Sequence, residues 1–212
     1  MIDLGFEEEL RGILGHCKTK VQMLLFSATM PTSIKDFALN ALSNPILINV
    51  GRAGAANLNI VQEVELVDKN KRLDAILDSL QKTAPPVIIF ASSKSEVDDV
   101  LEFLLLKGIE AVAIHGGKSQ EERIYAIDSF KSHKKDVLVA NDIASKGIDL
   151  QNIQHVINYD LPNEIEDYVH RIGRTGRGGS TGIATTFVDP TICSEAVLLD
   201  LKLLLAEAQQ NI

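Results

Sequence analysis

The sequence predicts an α/β fold, a mostly parallel sheet with helices on both faces. Two observations carry that expectation: from about residue 58 onward short β-branched runs alternate with stretches of helical periodicity, and polar, glycine-bearing pieces fall directly after the strand runs. Parallel strands need crossover connections, and helices of this length between the runs supply them.

Taken in order, the first fifty residues read as a helix over Phe6–Leu14, a strand over Gln22–Phe26, a helix over Ile34–Leu42 and a strand over Ile46–Val50. Two short strands and two helices bury little core, so residues 1–50 are expected to be the end of a sheet whose other strands lie upstream. Gly51-Arg52-Ala53-Gly54-Ala55-Ala56 is small and glycine-rich, the composition of a linker, which puts a boundary near residue 55, a linker at 51–57 and a second domain at 58–212. In that second domain the strand runs are Ile60–Val67, Val87–Phe90, Ala111–Ile114, Val137–Val139, His155–Tyr159 and Gly182–Val188. Between them, Leu73, Ile76, Leu77 and Leu80 fall on one helical face, as do Val97, Val100, Leu101 and Leu104. A last amphipathic stretch uses Val197, Leu198, Leu201, Leu204 and Leu205. In open parallel sheets ligands meet the carboxyl ends of the strands. Ser92–Ser93, His115–Gly117, Asn141–Asp149 and Asp160–Pro162 occupy those positions.

Composition narrows the function classes. Of the 212 residues 45% are apolar and 24% charged, the balance of a folded protein. No apolar run approaches the roughly 18–20 residues that span a bilayer, so no membrane contact is expected. MIDLGFEEEL is acidic, which predicts no signal peptide and no secretion. Cys17 and Cys193 stand far apart, and the five histidines lack ligand spacing, so neither a disulfide framework nor a metal site is expected. A formal charge of −8 argues against a basic nucleic-acid coat but leaves room for a local basic seam.

Gly117-Lys118-Ser119 imitates the end of a phosphate-binding P-loop, but that pattern needs glycine at position 112, where Val112 stands. The arginines of His170–Arg177, HRIGRTGR, are the other anion-binding candidates. Guanidinium forks bind phosphate through paired hydrogen bonds at any relevant pH. If Glu164–Gly173 is helical, Arg171 and Arg174 share a face near its carboxyl end. Charge alone favours a plainer reading, in which Arg171, Arg174 and Arg177 pair with Asp160, Glu164, Glu166 and Asp167.

The octapeptide as a whole resembles motif VI of superfamily-2 helicases, the DEAD-box RNA helicases in particular. Other pieces follow in that family's order: Ser27-Ala28-Thr29 resembles the SAT motif, Val87–Ser92 motif IV, His115-Gly116 with Gln120 and Arg123 the glycine and QxxR elements, and Asn141–Asp149 motif V. VINYDLP at 156–162 is similar to the segment after motif V, and MIDLGF to the sequence that follows the DEAD box. Within the family, residues 51–65, 104–123 and 155–177 are most similar to the Abstrakt branch.

The resemblance implies a RecA-like second domain preceded by a partial fragment of a first RecA-like domain. It implies that the two close around ATP and RNA, with the P-loop, the DEAD carboxylates and Mg²⁺ belonging to the first. Arg174 and Arg177 would be arginine fingers, Gly147 and Asp149 would contact the nucleotide, and His170, Ser27 and Thr29 would couple hydrolysis to closure. Ser92, Gly116, Gln120, Arg123, Asn141 and Asp142 would hold the RNA backbone. Two departures stand out: motif V opens Asn141-Asp142 where Thr-Asp is usual, and Lys146 replaces the commoner arginine. The branch resemblance further implies spliceosomal protein partners and a nuclear location, with the cytoplasm as the alternative. Because the chain as given contains neither P-loop nor DEAD sequence, it is expected to be inactive as an ATPase by itself. The reading from a different class is a non-catalytic RecA-like module that binds RNA or protein.

Overall fold

The computed structural model describes residues 5–17, 21–50, 54–142, 148, 150 and 152–210. The chain divides into two units, Met1–Ala55 and Ala56–Ile212.

The described residues of the first unit form the helices α1 (Glu7–Gly15) and α2 (Thr32–Ala41). Arg11 joins Glu7 one turn earlier at 2.7 Å and stacks over the Phe37 ring at 5.6 Å. The strands expected at Gln22–Phe26 and Ile46–Val50 do not form among the described residues. Both runs are apolar enough for a sheet, but a strand exists only by pairing, and neither run finds a neighbour among the described residues. Phe26, Ile46, Ile48 and Val50 are accordingly exposed.

The second unit is built on six parallel strands: β1 (Ile60–Leu66), β2 (Val87–Phe90), β3 (Ala111–Ile114), β4 (Val137–Ala140), β5 (His155–Asn158) and β6 (Gly182–Val188), in the spatial order β1-β6-β5-β2-β4-β3. The helices that lie wholly among the described residues include α3 (Arg72–Leu80), α4 (Lys94–Leu106), α5 (Gln120–Lys131), α6 (Ile165–Ile172) and α7 (Glu195–Glu207). Alternation along each strand sorts the core into two layers. Ile88, Phe90, Ile114 and Val156 face Phe130 of α5, Tyr168 and Ile172 of α6, and Leu201 and Leu204 of α7. Val87, Ile89, Val139 and Ile157 face Ile76 of α3 and Val97, Val100 and Leu104 of α4. This is the expected sheet with helices on both faces. Runs buried on both sides need no polar alternation, which is why VIIF and AVAI are apolar throughout.

Serine fixes where three helices start. Ser93 and Glu96 form a reciprocal capping box at α4, Ser119 and Glu122 form one at α5, and Ser194 caps α7. The P-loop look-alike Gly117-Lys118-Ser119 is therefore a helix start whose serine is already occupied by the Glu122 amide.

Candidate functional site

Four strands of the second unit deliver their following residues to one end of the sheet: Ser92 after β2, His115–Gly117 after β3, Asn141 and Asp142 after β4, and Asp160 after β5. The hub of this end is Arg171, whose side chain is 1% exposed. Its Nε and Nη2 donate to the two carboxylate oxygens of Asp142, both at 2.7 Å, a bidentate fork. Its Nη1 donates to the Asp160 carbonyl at 2.8 Å and lies 3.4 Å from that residue's carboxylate. The Asp160 carboxylate in turn accepts from the Ser92 amide at 2.8 Å and the Ser92 hydroxyl at 2.5 Å. Phe90 lies under the guanidinium at 5.4 Å. Burial acts to lower the Arg171 pKa, but the bonds and charges of Asp142 and Asp160 outweigh it, and the net shift is upward. One side chain from α6 thus ties together the ends of β2, β4 and β5.

Beside it, the turn after β3 is locked by His115. The ring is buried and its Nδ1 accepts the Gly117 amide at 3.1 Å, so the proton sits on Nε2, which donates to Asp98 at 3.1 Å. Lys118 reaches the same Asp98 at 2.8 Å. Burial acts to raise the Asp98 pKa, but these two donors hold it below the usual carboxylate value. The turn leaves Gly116 exposed, with the Lys94 stem 3.7 Å from where a β-carbon would stand. It also leads into α5, whose first turn carries Gln120 and Arg123, joined to each other at 3.4 Å. Lys94, Lys118 and Arg123 are the basic side chains around this turn, Lys118 being paired with Asp98.

The arginines of the glycine-rich segment sit elsewhere. Helix α6 is eight residues, about 12 Å of rise, and runs from the carboxyl end of β5 back toward the amino end of β6. Arg171 is on its last turn, while Arg174 and Arg177 lie in the turn beyond it. The shared helical face expected for Arg171 and Arg174 does not form, because the helix closes at Ile172. Arg174 Nη1 donates to the Ile148 carbonyl at 3.1 Å, and Arg177 Nε to the Gly173 carbonyl at 2.8 Å. Arg171 makes the carboxylate pairing that charge alone favoured, with Asp142 and Asp160.

The turn holding them is clamped. The Thr175 hydroxyl donates to the Ile153 carbonyl at 2.5 Å, and the Asn57 side chain donates to the Gly176 carbonyl at 2.8 Å. Gly176 has φ +66, and a β-carbon there would fall 2.6 Å from Ile60. At Gly182 a β-carbon would fall 2.0 Å from Thr175 Oγ1. Two permanently charged forks on such a turn suit an anion with several oxygen acceptors, the chemistry of a nucleotide's phosphates. Among the described residues no group of three or more His, Cys, Asp or Glu could hold a metal ion.

The structure therefore brings Ser92, Gly116, Gln120, Arg123, Asn141 and Asp142 to one end of the sheet and Arg174 and Arg177 to the other. Asn141 is buried, and both oxygens of Asp142 already accept from Arg171. His170, on α6, lies 3.9 Å from Asp167. Gly147 and Asp149 lie outside the described residues. In the first unit the Ser27 hydroxyl donates to the Thr29 carbonyl at 2.5 Å. Asp160 stands at the strand end and pairs with an arginine as expected, but its tie to Ser92 was not expected, nor were Thr175, Asn57 and Gly182 as site-building residues. Asp160 carried a signal, since it follows a strand in register with Ser92, but a partner 68 residues away is not visible from spacing.

Residues 68–179 match the family described as "Helicase conserved C-terminal domain". The whole chain is 63% identical to DEAD-box ATP-dependent RNA helicase 35 of Arabidopsis thaliana, covering 36% of that protein. It is 59% identical to ATP-dependent RNA helicase abstrakt of Drosophila melanogaster, covering 34%. The chain thus spans about a third of the length of these relatives. Among solved structures, the yeast DEAD-box splicing factor Prp28 superposes with a TM-score of 0.69 at 30% identity, over 98% of this chain and 47% of Prp28. Dbp5 of S. cerevisiae, solved bound to Gle1 and IP6, superposes with a TM-score of 0.73 at 25% identity, over 96% of this chain and 52% of that one. With its parallel six-stranded sheet and its arginine-bearing turn, the chain belongs to the helicase conserved C-terminal domain family, as the C-terminal helicase domain of a DEAD-box RNA helicase.

Proposed function

We propose that this chain is the half of an ATP-driven RNA-remodelling enzyme that completes two sites begun by another RecA-like domain. At one end of the sheet it holds the RNA backbone, and at the other it presents Arg174 and Arg177 to the γ-phosphate of ATP. The observation that carries the reading is helix α6, pinned at the strand ends by the Arg171 fork and leading directly into the Arg174 turn.

Phosphoryl transfer rests on positioning and charge stabilisation, and an arginine finger contributes about 10³–10⁵ in rate. Arg174 suits that task because the Ile148 carbonyl fixes one nitrogen of its fork and so orients the others. Arg177, on the same clamped turn, adds a second permanent charge. Gly147 and Asp149 are assigned to the nucleotide, and Mg²⁺ with the remaining phosphate contacts to the other RecA-like domain. Gly116, Gln120 and Arg123 are the RNA-facing donors, with Ser92 beside them and the Asn141 backbone behind. Such contacts read sugar and phosphate rather than base. Asp142 takes a positioning role, because its carboxylate orients Arg171 and would repel a phosphate. His170, Ser27 and Thr29 are assigned to the coupling between closure and hydrolysis. The same reading assigns the protein to the nucleus, among spliceosomal proteins, and the likeness to the yeast splicing factor supports it.

The test is reconstitution. The 212-residue polypeptide alone is expected to show no RNA-stimulated ATP hydrolysis. Joined to the amino-terminal half of an Abstrakt-type helicase core, it is expected to turn ATP over when RNA is added. RNA binding that is indifferent to nucleotide in the joined protein, with no hydrolysis, would support a binding module instead.

A further inference from the structure

We propose that a second phosphate-binding pocket, separate from the arginine turn, lies beside the strand-end surface between the turn after β1 and the start of α7, and that it takes a phosphodiester of the RNA crossing that surface. The proposal rests on the RNA-binding reading above. The pocket is lined by Lys69, Arg72, Ser92, Glu96, Asp160 and Ser194, among others.

Arg72 is the reason to expect an anion. It is 1% exposed, and neither its Nε nor its Nη2 has a hydrogen-bond partner. The Tyr159 ring, 5.6 Å from the guanidinium carbon, holds the group in place without supplying an acceptor. A buried guanidinium with orphan donors is costly, and an oxyanion entering the pocket would relieve that cost. The start of α7 is the second observation. This helix is 13 residues long; the Ser194 side chain takes the Val197 amide, while the amides of Glu195 and Ala196 have no acceptor within the helix.

The charges around the pocket choose the kind of phosphate. Asp160 lines it but is matched by Arg171 and Ser92. Asp189, behind it, accepts from the Lys69 amide and from the amide and hydroxyl of Thr191. Glu96 is held by the amide and hydroxyl of Ser93, which leave its charge uncompensated. Lys69 and Arg72 against Glu96 and Asp189 leave the pocket without net charge, which disfavours a dianionic free phosphate more than a monoanionic diester. Ser92 and Asp160 belong both to this wall and to the strand-end surface, so a single strand crossing the surface meets the pocket as its next step.

The experiment measures anisotropy of end-labelled oligouridylates of about six and about twelve nucleotides on a two-domain protein carrying this chain, at two salt concentrations. Lys69→Ala is expected to weaken the longer oligonucleotide about fivefold and reduce its salt slope by about 0.7, leaving the shorter one unchanged. Arg123→Ala, on the strand-end surface, is expected to weaken both. Lys69 is exposed and its amide bond to Asp189 survives the substitution, so this variant folds even if Arg72→Gln does not. Wild-type affinity of Lys69→Ala for both lengths, with Arg123→Ala weakened, overturns the pocket and spares the RNA reading. Equal loss on both lengths also overturns it, since no separate step would exist. Binding of neither oligonucleotide by the unaltered two-domain protein defeats both.

Discussion

Replacing Arg171 by alanine removes three short charged hydrogen bonds at once: two to Asp142 at 2.7 Å and one to the Asp160 carbonyl at 2.8 Å. It also strips the cation from above Phe90 and leaves the Asp142 and Asp160 carboxylates facing each other across the strand ends. Taking one partner from a buried ion pair costs about 3–5 kcal/mol, because the partner's charge remains. With a urea m-value of about 2 kcal/mol/M, the unfolding midpoint should fall by about 2 M. Arg171→Met together with Asp142→Leu should cost less than Arg171→Met alone, since the double change removes the stranded charge along with its partner. The measurement is equilibrium urea unfolding of the unaltered chain, Arg171→Ala, Arg171→Met, Asp142→Leu and the double variant, followed by far-ultraviolet circular dichroism. An Arg171→Ala midpoint within about 0.5 M of the unaltered chain, or strictly additive effects in the pair, refutes the hub.

Other outcomes follow from the same geometry. Gly182→Ala should destabilise by at least about 2 kcal/mol by forcing Thr175 and the arginine turn aside, read as a lower urea midpoint. Ser119→Ala should cost about 1 kcal/mol in stability as a lost helix cap while leaving nucleotide binding by a two-domain protein unchanged, as calorimetry would report. His155 is buried against Thr185, and burial pulls its pKa down from 6.5 to about 4, the nearby Lys82 adding to the fall and Glu63 opposing it. The unfolded chain therefore takes up a proton that the folded chain refuses. The stability from this group is complete above about pH 6.5 and is lost as pH falls toward 4, about 3 kcal/mol over that window. Urea midpoints of the unaltered chain should drop more steeply between pH 7 and 5 than those of His155→Gln.

The sheet of the second unit was readable because its strands are buried on both faces, which writes them as short apolar runs such as Val87–Phe90 and Ala111–Ile114. The same signal misled in the first unit. Gln22–Phe26 and Ile46–Val50 are equally apolar, but composition says only that a segment could be covered, not that a neighbour is there to pair with it. Around the site, spacing of three put Arg171 and Arg174 on one helical face, and the termination of α6 at Ile172 separates them into a buried tie and a turn-borne cation. That split depends on partners 29 and 11 residues from Arg171, brought close by the adjacency of β4, β2 and β5 rather than by local sequence. Gly182 is similar: its need for a bare α-carbon arises from Thr175 packing over it, which no periodicity announces.

The most direct test of the central claim compares ATP hydrolysis, with saturating RNA, by a two-domain protein carrying this chain and by its Arg174→Ala and Arg174→Lys variants. If Arg174 completes the γ-phosphate site, both variants lose about 10³ or more in kcat, lysine included because it lacks the planar fork, while RNA affinity measured without nucleotide is unchanged. Retention of more than about a tenth of kcat by Arg174→Ala would contradict the account.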